Sequence, residues 1–371
     1  MVVKAQSERK FTIMHSIRGG VTRWMCSLLL ACACLVSNAQ EAPRIKAVDV
    51  YGTDALDANA IRHELRNELD LLAAAIAAQD VKHIADLKTA ITTRVRALGD
   101  FAYLELSIIQ YPPPTSALYA TIDAVEAKDR AVRMPFRAAP TRKHPDPDSL
   151  IAAWDEYSSE LSALVRRGEI TGHGDCPVLH CLVPFTHQAL QPYLTRFNAG
   201  AAAHKNLLLD IVLSEGDAHR RATAIFLLAH ANDASALMPV LGQAMYDADR
   251  EVRNNAMRVM VDMAVKGLHV EYPMKDILAA LDFLATTDRN KAVAVTATVI
   301  EKMPEYREVV LQHGVPALLR LLKLDQPNNH EFAYQALKIL SGRDYGPRAY
   351  DRWAAWAAEI GSKQSVGVPP S

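Results

Sequence analysis

The chain of 371 residues lacks most of the short motifs that carry catalytic chemistry. It has no Gly-x-Ser-x-Gly turn for a serine nucleophile and no Gly-x-x-x-x-Gly-Lys loop for phosphates, and its five cysteines contain no Cys-x-x-Cys pair. The pair His63-Glu64 lacks the second histidine that a zinc-protease helix requires. We therefore expect a protein that is not an enzyme and that carries no cofactor or metal.

The sequence also lacks an excess of charge of either sign, and it is poor in aromatic residues. It has 41 basic and 42 acidic residues, a net charge of −1, and only 6% aromatic residues. Binding to nucleic acid or to an anionic membrane depends on basic patches. The even charge balance therefore argues against both kinds of partner.

The sequence has no apolar run long enough to span a bilayer comfortably. The run near the N-terminus is too short to do so. Met25–Val36 is an apolar run preceded by arginines, and Ser37 and Ala39 are small residues at the −3 and −1 positions of a signal-peptidase site. Residues 1–39 are therefore predicted to be a signal peptide, with a mature protein in the periplasm or secreted and not inserted in the membrane. An alternative is a lipobox that ends at Cys32, which would anchor the protein by a lipid.

A repeating helical pattern fills much of the second half of the chain. Its clearest unit, residues 234–265, contains an apolar helix, an acidic turn and a second helix predicted to run from Glu251 to about Ala264. Asp249 is placed to cap this second helix. Five apolar residues follow one stripe of it at helical spacing: Val252, Ala256, Val259, Met260 and Met263.

This unit resembles a HEAT or armadillo-type repeat. The family pattern has a proline in the first helix, an aspartate in the turn, then Val-Arg and a small residue three positions later. The matching residues here are Pro239, Asp247 or Asp249, Val252, Arg253 and Ala256. The resemblance implies an α-solenoid that binds a partner along the surface formed by its second helices.

Weaker copies of the unit flank it and extend the predicted repeats over residues 201–341. The residues taken as equivalent are Arg221, Arg253, Lys291 and His330, and the small residues that follow them are Ala224, Ala256, Ala294 and Ala333. Their spacings vary by a few residues, as expected of helix pairs with variable turns. An ordinary helical domain with chance periodicity is the alternative.

The region before the repeats, residues 40–130, has the order strand, helix, helix, strand, strand. A strand ends at Gly52, two amphipathic helices follow, and two alternating strands flank a loop with three prolines, Pro112 to Pro114. The opening and closing strand patterns resemble a POTRA domain, which implies a bacterial envelope protein that binds partners at a sheet edge. An unrelated small α+β domain is the alternative.

A proline-rich connector and a cysteine-containing loop join the two regions. Residues 131–148 are predicted to be an extended linker, and residues 149–200 to hold a helix, Leu150 to Arg167, followed by the loop. Cys176 and Cys181 are the only cysteines after the signal segment, so in an oxidising compartment they predict a local disulfide. The alternatives are a redox pair or a zinc site, whose ligands would come from His173, Asp175, Cys176, His180 and Cys181.

The last part of the chain is predicted to close the repeats. Residues 342–360 contain Trp353 and Trp356, spaced to cover the last hairpin in the way that many HEAT-repeat proteins end. Residues 361–371 are predicted to be a disordered tail.

These patterns favour an exported, non-catalytic scaffold that binds a protein partner. Contact residues are expected on the second helices, off the buried stripe, and the candidates are Asn254, Asn255, Arg258 and Arg220. One alternative is a metal or redox module at the cysteine loop, and another is an envelope-assembly factor that acts through the N-terminal sheet edge.

Overall fold

The computed structural model describes residues 44–111, 117–170 and 174–366, with side chains up to residue 361. The predicted signal segment, the alternative lipobox, most of the triple-proline loop and His173 lie outside these ranges. Within them, the protein is mostly helical and has one small sheet near its N-terminal end. No helix in the described ranges combines the length and the apolar character needed to cross a membrane.

The secondary structure begins with the sheet region and continues as helices. The strands are β1 Ile45–Tyr51, β2 Phe101–Gln110 and β3 Leu118–Glu126. The helices of the first half are α1 Ala58–Glu64, α2 Arg66–Ala77, α3 Val81–Arg96, α4 Arg130–Arg133, α5 Leu150–Arg167, α6 Gln191–Ala203 and α7 Lys205–Ser214. The helices of the second half are α8 Ala218–Ala229, α9 Ala234–Ala244, α10 Arg250–Val265, α11 Met274–Ala279, α12 Thr286–Lys302, α13 Arg307–His313, α14 Val315–Leu322, α15 Pro327–Ser341 and α16 Tyr350–Val366.

The three strands form a mixed sheet in the order β1-β3-β2. Strand β3 is central, parallel to β1 and antiparallel to β2. One face of the sheet packs on α1 to α3, whose buried residues include Leu69, Leu72 and Ile91. The predicted order of strands and helices is present, although the first predicted helix is divided into α1 and α2 at Leu65.

The helical region consists of hairpins whose second helices pack side by side. Helices α8, α10, α12 and α15 form this row. Helices α9, α11 and α14, the first helices of the hairpins, pack against the row. Asp249 caps α10 by accepting hydrogen bonds from the N–H groups of Glu251 and Val252, as the sequence predicts. All five residues of the predicted stripe on α10, from Val252 to Met263, are fully buried.

An arginine at the fourth position of a second helix marks the register of three units. Arg221, Arg253 and Arg289 each donate from Nη1 to two carbonyls, five and six residues earlier in the chain. The choice of Lys291 as the equivalent residue was therefore wrong by two positions. The small residue that follows in this unit is Ala292, not Ala294, and His330 does hold the fourth position of α15.

Each of these arginines also forms a buried ion pair with the next structural unit. Arg221 binds Asp247 through two bonds of 2.7 and 2.8 Å, and Arg253 binds Asp288 at 2.8 Å. For Arg289 the acid is Asp123, which lies on β3 of the sheet. The sheet therefore supplies, for α12, the acidic partner that the following hairpin supplies for α8 and α10.

Two buried carboxylates attach the sheet to the turns that precede the second helices. Asp123 accepts a hydrogen bond from the N–H of Thr286, the first residue of α12, at 2.9 Å. Asp49 on β1 accepts hydrogen bonds from the N–H groups of Asp325 and Gln326, just before α15, both at 2.8 Å. Sheet and helices therefore share an extensive buried polar contact.

The proline-rich connector, predicted over residues 131–148, begins within helix α4, is extended from Met134 onwards, and lies along the helical region. The N–H of Arg137 donates to the carbonyl of Tyr246 at 2.8 Å, and the N–H of Gly216 donates to the carbonyl of Arg142. The ring of Phe136 lies under the guanidinium of Arg253 at 4.0 Å. The connector thus holds the sheet region and the hairpins in a fixed relation.

The ends of two helices are fixed as follows. The N-terminus of α5 is capped by Asp146, which accepts hydrogen bonds from the N–H groups of Ile151 and Ala152. At the C-terminus, Trp353 and Trp356 are buried against the last hairpin as predicted. Helix α16 continues to Val366, past residue 361, where the tail was expected to begin.

Candidate functional site

A polar cavity lies beside the row of second helices, and we call it the α10–α12–α15 cavity. It has a volume of about 170 Å³. Helices α10, α12 and α15 and the cysteine loop form its walls. Its lining residues are His180, Arg258, Val261, Asp262, Asn290, Lys291, Ala294, Asn328 and Phe332.

Two of the predicted contact residues are inside the fold. The amide of Asn254 donates to Asp288 at 3.0 Å and to the carbonyl of Arg250, and the amide of Asn255 donates to the carbonyl of Ala222 at 3.2 Å. Both side chains are buried. The prediction that they lie on the surface was wrong, because the next helices in the row cover the flanks of α10 as well as its apolar stripe.

The two predicted arginines have different environments. Arg220 is half-buried, donates to the carbonyl of His144 in the connector at 2.8 Å, and lies 3.5 Å from the carboxylate of Glu215. Arg258 is exposed and lines the cavity. The structure thus brings Arg258 alone, among the four candidates, to an open surface, and its role as a contact remains a prediction.

Although the Arg258 side chain is exposed, neighbouring groups shield part of its guanidinium from water, and no described residue pairs with it. This desolvation lowers the pKa of Arg258 from its ordinary value, and the negative charge of Glu251 opposes the shift. An arginine nevertheless stays protonated at neutral pH. Its guanidinium is therefore a partly desolvated cation beside a cavity.

The disulfide loop forms one edge of the cavity. Cys176 and Cys181 are bonded, as their spacing predicts. The loop is fixed to α8 and α10, since the N–H of Leu179 donates to the carbonyl of Ala229 at 3.1 Å and Lys266 donates to the carbonyl of Cys176 at 2.8 Å. Because the bond uses both sulfurs, neither can serve as a thiolate ligand to zinc.

His180 and Asp262 form a hydrogen-bonded pair at this edge, which sequence reasoning missed. Nδ1 of His180 lies 2.7 Å from the carboxylate of Asp262, and the imidazole stacks on Phe226 with ring centres 4.8 Å apart. An ionised carboxylate accepts and does not donate, so Nδ1 carries the proton. The two residues are 82 positions apart in the chain, and no local pattern links them.

The His180–Asp262 pair has the form of a base and its orienting acid, but no described side chain lies within hydrogen-bond reach of its other ring nitrogen. Nε2, the nitrogen that would accept a proton, is buried and makes no hydrogen bond to any described residue. A nucleophile would have to lie within hydrogen-bond reach of that atom. Among the described residues there is also no group of three or more His, Cys, Asp or Glu side chains placed to hold a metal ion.

A second cavity, of about 250 Å³, lies on the sheet region. It runs between β2 and α3, and it is lined by Lys88, Thr89, Thr92, Thr93, Arg96, Leu104, Glu105 and Leu106. In the described sheet, β2 pairs on one side with β3 and has an open edge on the other. This cavity therefore lies beside an unpaired strand edge.

Comparison of the chain with protein-family models, with curated proteins and with solved structures found no match in any of the three. Function must therefore be inferred from the surfaces of this molecule alone.

Proposed function

We propose that this chain is a non-catalytic scaffold of the HEAT or armadillo type, which binds a protein partner on the surface of its second helices. The arginine pattern shared by α8, α10 and α12 supports repeated hairpins, because the same side-chain contacts recur at the same helix position. Stacked hairpins give an elongated surface suited to protein partners.

The observation that carries the proposal is the contrast between the arginines of one helix. Arg253 is buried and fully engaged with Asp288 and two carbonyls, so it stabilises the fold. Arg258, five residues later, makes no ion pair or hydrogen bond with the described residues and faces the α10–α12–α15 cavity. A partly desolvated cation at a concave surface is a typical anchor for a binding partner.

The compartment in this proposal is the periplasm or the extracellular space. A structural disulfide such as Cys176–Cys181 persists in an oxidising compartment and is rare in the cytosol. The predicted signal segment points to the same compartment.

The proposal is tested by photo-cross-linking in the native host. A photo-reactive amino acid at position 258 should give a discrete protein adduct, since this position faces the proposed partner. The matched control is position 166, because Arg166 is an exposed arginine at the end of α5, outside the cavity lining. Equal adducts at both positions, or none at position 258, would contradict the proposal.

A second candidate function uses the open edge of β2. The unpaired edge and the adjoining 250 Å³ cavity favour a partner that adds a strand to the sheet and places a side chain against α3. In this case a cross-linker at Thr93, an exposed residue of that cavity, should capture the partner and one at position 258 should not. The same experiment therefore separates the two candidate surfaces.

A further inference from the structure

The α10–α12–α15 cavity has more positive than negative charge in its lining. Its ionisable residues are Arg258 and Lys291, which are basic, Asp262, which is acidic, and His180. One oxygen of the Asp262 carboxylate already accepts a hydrogen bond from Nδ1 of His180. With two basic residues and one acidic residue, the lining favours an anion.

Arg258 has the geometry to hold a carboxylate. A guanidinium presents its N–H groups as a planar fork, which matches the two oxygens of a carboxylate. The removal of water by neighbouring groups strengthens such a contact, because the cation is less well hydrated when the ligand is absent. The other nearby arginine, Arg253, cannot serve, because its fork is occupied by Asp288.

Asn290 provides a buried polar group that the fold does not use. Its side chain is only 5% exposed and lines the cavity, and its Oδ1 has no hydrogen-bond partner among the described residues. The oxygen and nitrogen of an amide exchange places by a half-turn about the last side-chain bond, so the nitrogen can face the cavity as a donor. As placed, the unpaired Oδ1 is an acceptor and does not bind a carboxylate, but in the turned orientation the nitrogen is a buried donor without a partner, and a ligand oxygen would satisfy it.

The size and the apolar part of the lining narrow the class of anion. The volume of about 170 Å³ is below the roughly 300–1,000 Å³ of drug-sized and cofactor pockets. Val261, Ala294 and Phe332 supply apolar contacts for a short hydrocarbon stem. We propose that this cavity binds the carboxylate side chain of an acidic residue of the protein partner, with Arg258 and Asn290 as its donors; the proposal rests on the scaffold function given above.

The test uses the full chain and a blocked pentapeptide with one central glutamate. Binding is followed by the NMR shift of the Ala294 methyl group, which lines the cavity. The glutamate peptide should shift this signal to saturation, and the glutamine counterpart should bind at least tenfold more weakly. Arg258→Ala should weaken binding at least tenfold, Arg258→Lys should weaken it less because the charge is kept, and Arg166→Ala should bind like the original chain.

Several results would overturn the carboxylate site. These are equal binding of the glutamate and glutamine peptides, undiminished binding by Arg258→Ala, and equally tight binding of free glutarate, which would assign the cavity to a small metabolite. An unchanged Ala256 methyl signal verifies that a variant is folded, since this residue is fully buried. If Arg258→Ala did not fold, Arg258→Lys and the comparison of the two peptides would still test whether the cavity binds a carboxylate.

The failure of this site and the failure of the scaffold function are distinguishable. Binding of the glutamate peptide without any partner adduct at position 258 would leave the carboxylate site intact and remove the scaffold function. A partner adduct at position 258, with no preference between the two peptides, would retain the scaffold function and remove the carboxylate site.

Discussion

At the scale of single residues, the same residue type stabilises the fold at one position and faces the surface at another. Arg253 lies between two turns of neighbouring hairpins, and its charge is matched by Asp288 with almost no exposure of either side chain. Arg258 lies on the same helix, one turn further on, beside the cavity. Charge alone therefore does not identify a functional arginine, because burial and pairing decide its role.

Arg253→Ala should destabilise the protein strongly, because it leaves the buried carboxylate of Asp288 without its cation. We expect a loss of about 3–5 kcal/mol in the free energy of unfolding. Arg258→Ala, the control on the same helix, should change it by less than about 0.5 kcal/mol. Urea unfolding measures both, and an equal effect of the two substitutions would contradict the assignment of roles.

Asp49 should give the protein a specific dependence of stability on pH. Burial raises the pKa of Asp49 to about 6, although the N–H groups of Asp325 and Gln326 oppose the shift. The pKa in the unfolded chain is lower, so the stabilisation by the protonated form is complete below about pH 4 and is lost as the pH rises through about 6.

The corresponding experiment compares the original chain with Asp49→Asn, which cannot titrate. The difference in unfolding free energy between them should change by about 2–3 kcal/mol between pH 4 and pH 7.5, and the original chain should lose relative stability as the pH rises. Asp54→Asn, at an exposed position nearby, serves as the control. A difference that is constant with pH would show that folding does not raise the pKa of Asp49.

At the scale of helices, the second helices share a small residue at their seventh position. These residues are Ala224, Ala256, Ala292 and Ala333, and none has any exposed surface. They occur one turn after the fourth-position residue, where each helix is buried in the row. A side chain larger than alanine would have to displace a neighbouring helix there.

Ala256→Leu should therefore destabilise the protein by overpacking, at a cost of about 1–3 kcal/mol. The same substitution at Ala74, an exposed position within α2, should have little effect. Thermal unfolding measures both variants. A melting temperature that falls for Ala74→Leu and stays unchanged for Ala256→Leu would contradict the burial pattern on which the hairpin assignment depends.

Most helices are predicted correctly from the sequence. The position of the repeat pattern on α12 is not, because Lys291 was chosen where Arg289 is the equivalent residue. The stripe on α10 and its cap at Asp249 were predicted correctly, because apolar periodicity and capping are local properties. The error at Lys291 arose because α12 is buried on nearly all sides and has no clear polar face from which to read its rotation. The pattern of arginine bonds to carbonyls resolves the register, and it is visible only in three dimensions.

At the scale of the whole molecule, the sheet and the hairpins are joined by buried charges. Asp123 on β3 pairs with Arg289 of α12, and neither side chain is exposed. The apolar pattern of the sequence predicts which face of a strand is buried. It does not predict which turn of the helical region that strand contacts. The sequence signal for this contact was the aspartate itself, a charged residue in the middle of the apolar strand β3.

Asp123→Ala should weaken the contact between the sheet and the hairpins and make their unfolding separable. In the original chain we expect one cooperative transition, because the two parts share a buried ion pair. The described tryptophans lie outside the sheet region and report on the helices by fluorescence, while hydrogen exchange of β3 amides reports on the sheet. Coincident transitions in Asp123→Ala would contradict a stabilising role for the pair.

The candidate binding site was only partly predictable at this scale. Arg258 was named from its position off the apolar stripe, whereas His180, Asn290 and Phe332 come from different parts of the chain and meet only in the folded protein. Their spacing in sequence obeys no helical or strand period. Patterns of residues predict elements, and cavities between elements depend on how those elements pack.

The positions of the docking carboxylates have a consequence for the order in which the protein is completed during synthesis. Asp49 emerges from the ribosome early, but its amide partners lie 276 and 277 residues later, just before α15. Hairpins close locally as they emerge, and the sheet can dock through Asp123 once Thr286 and Arg289 are made, whereas the contact at Asp49 needs nearly the whole chain. A chain that stops before Asp325 would therefore keep the contact at Asp123 and leave the Asp49 carboxylate without its two amide partners.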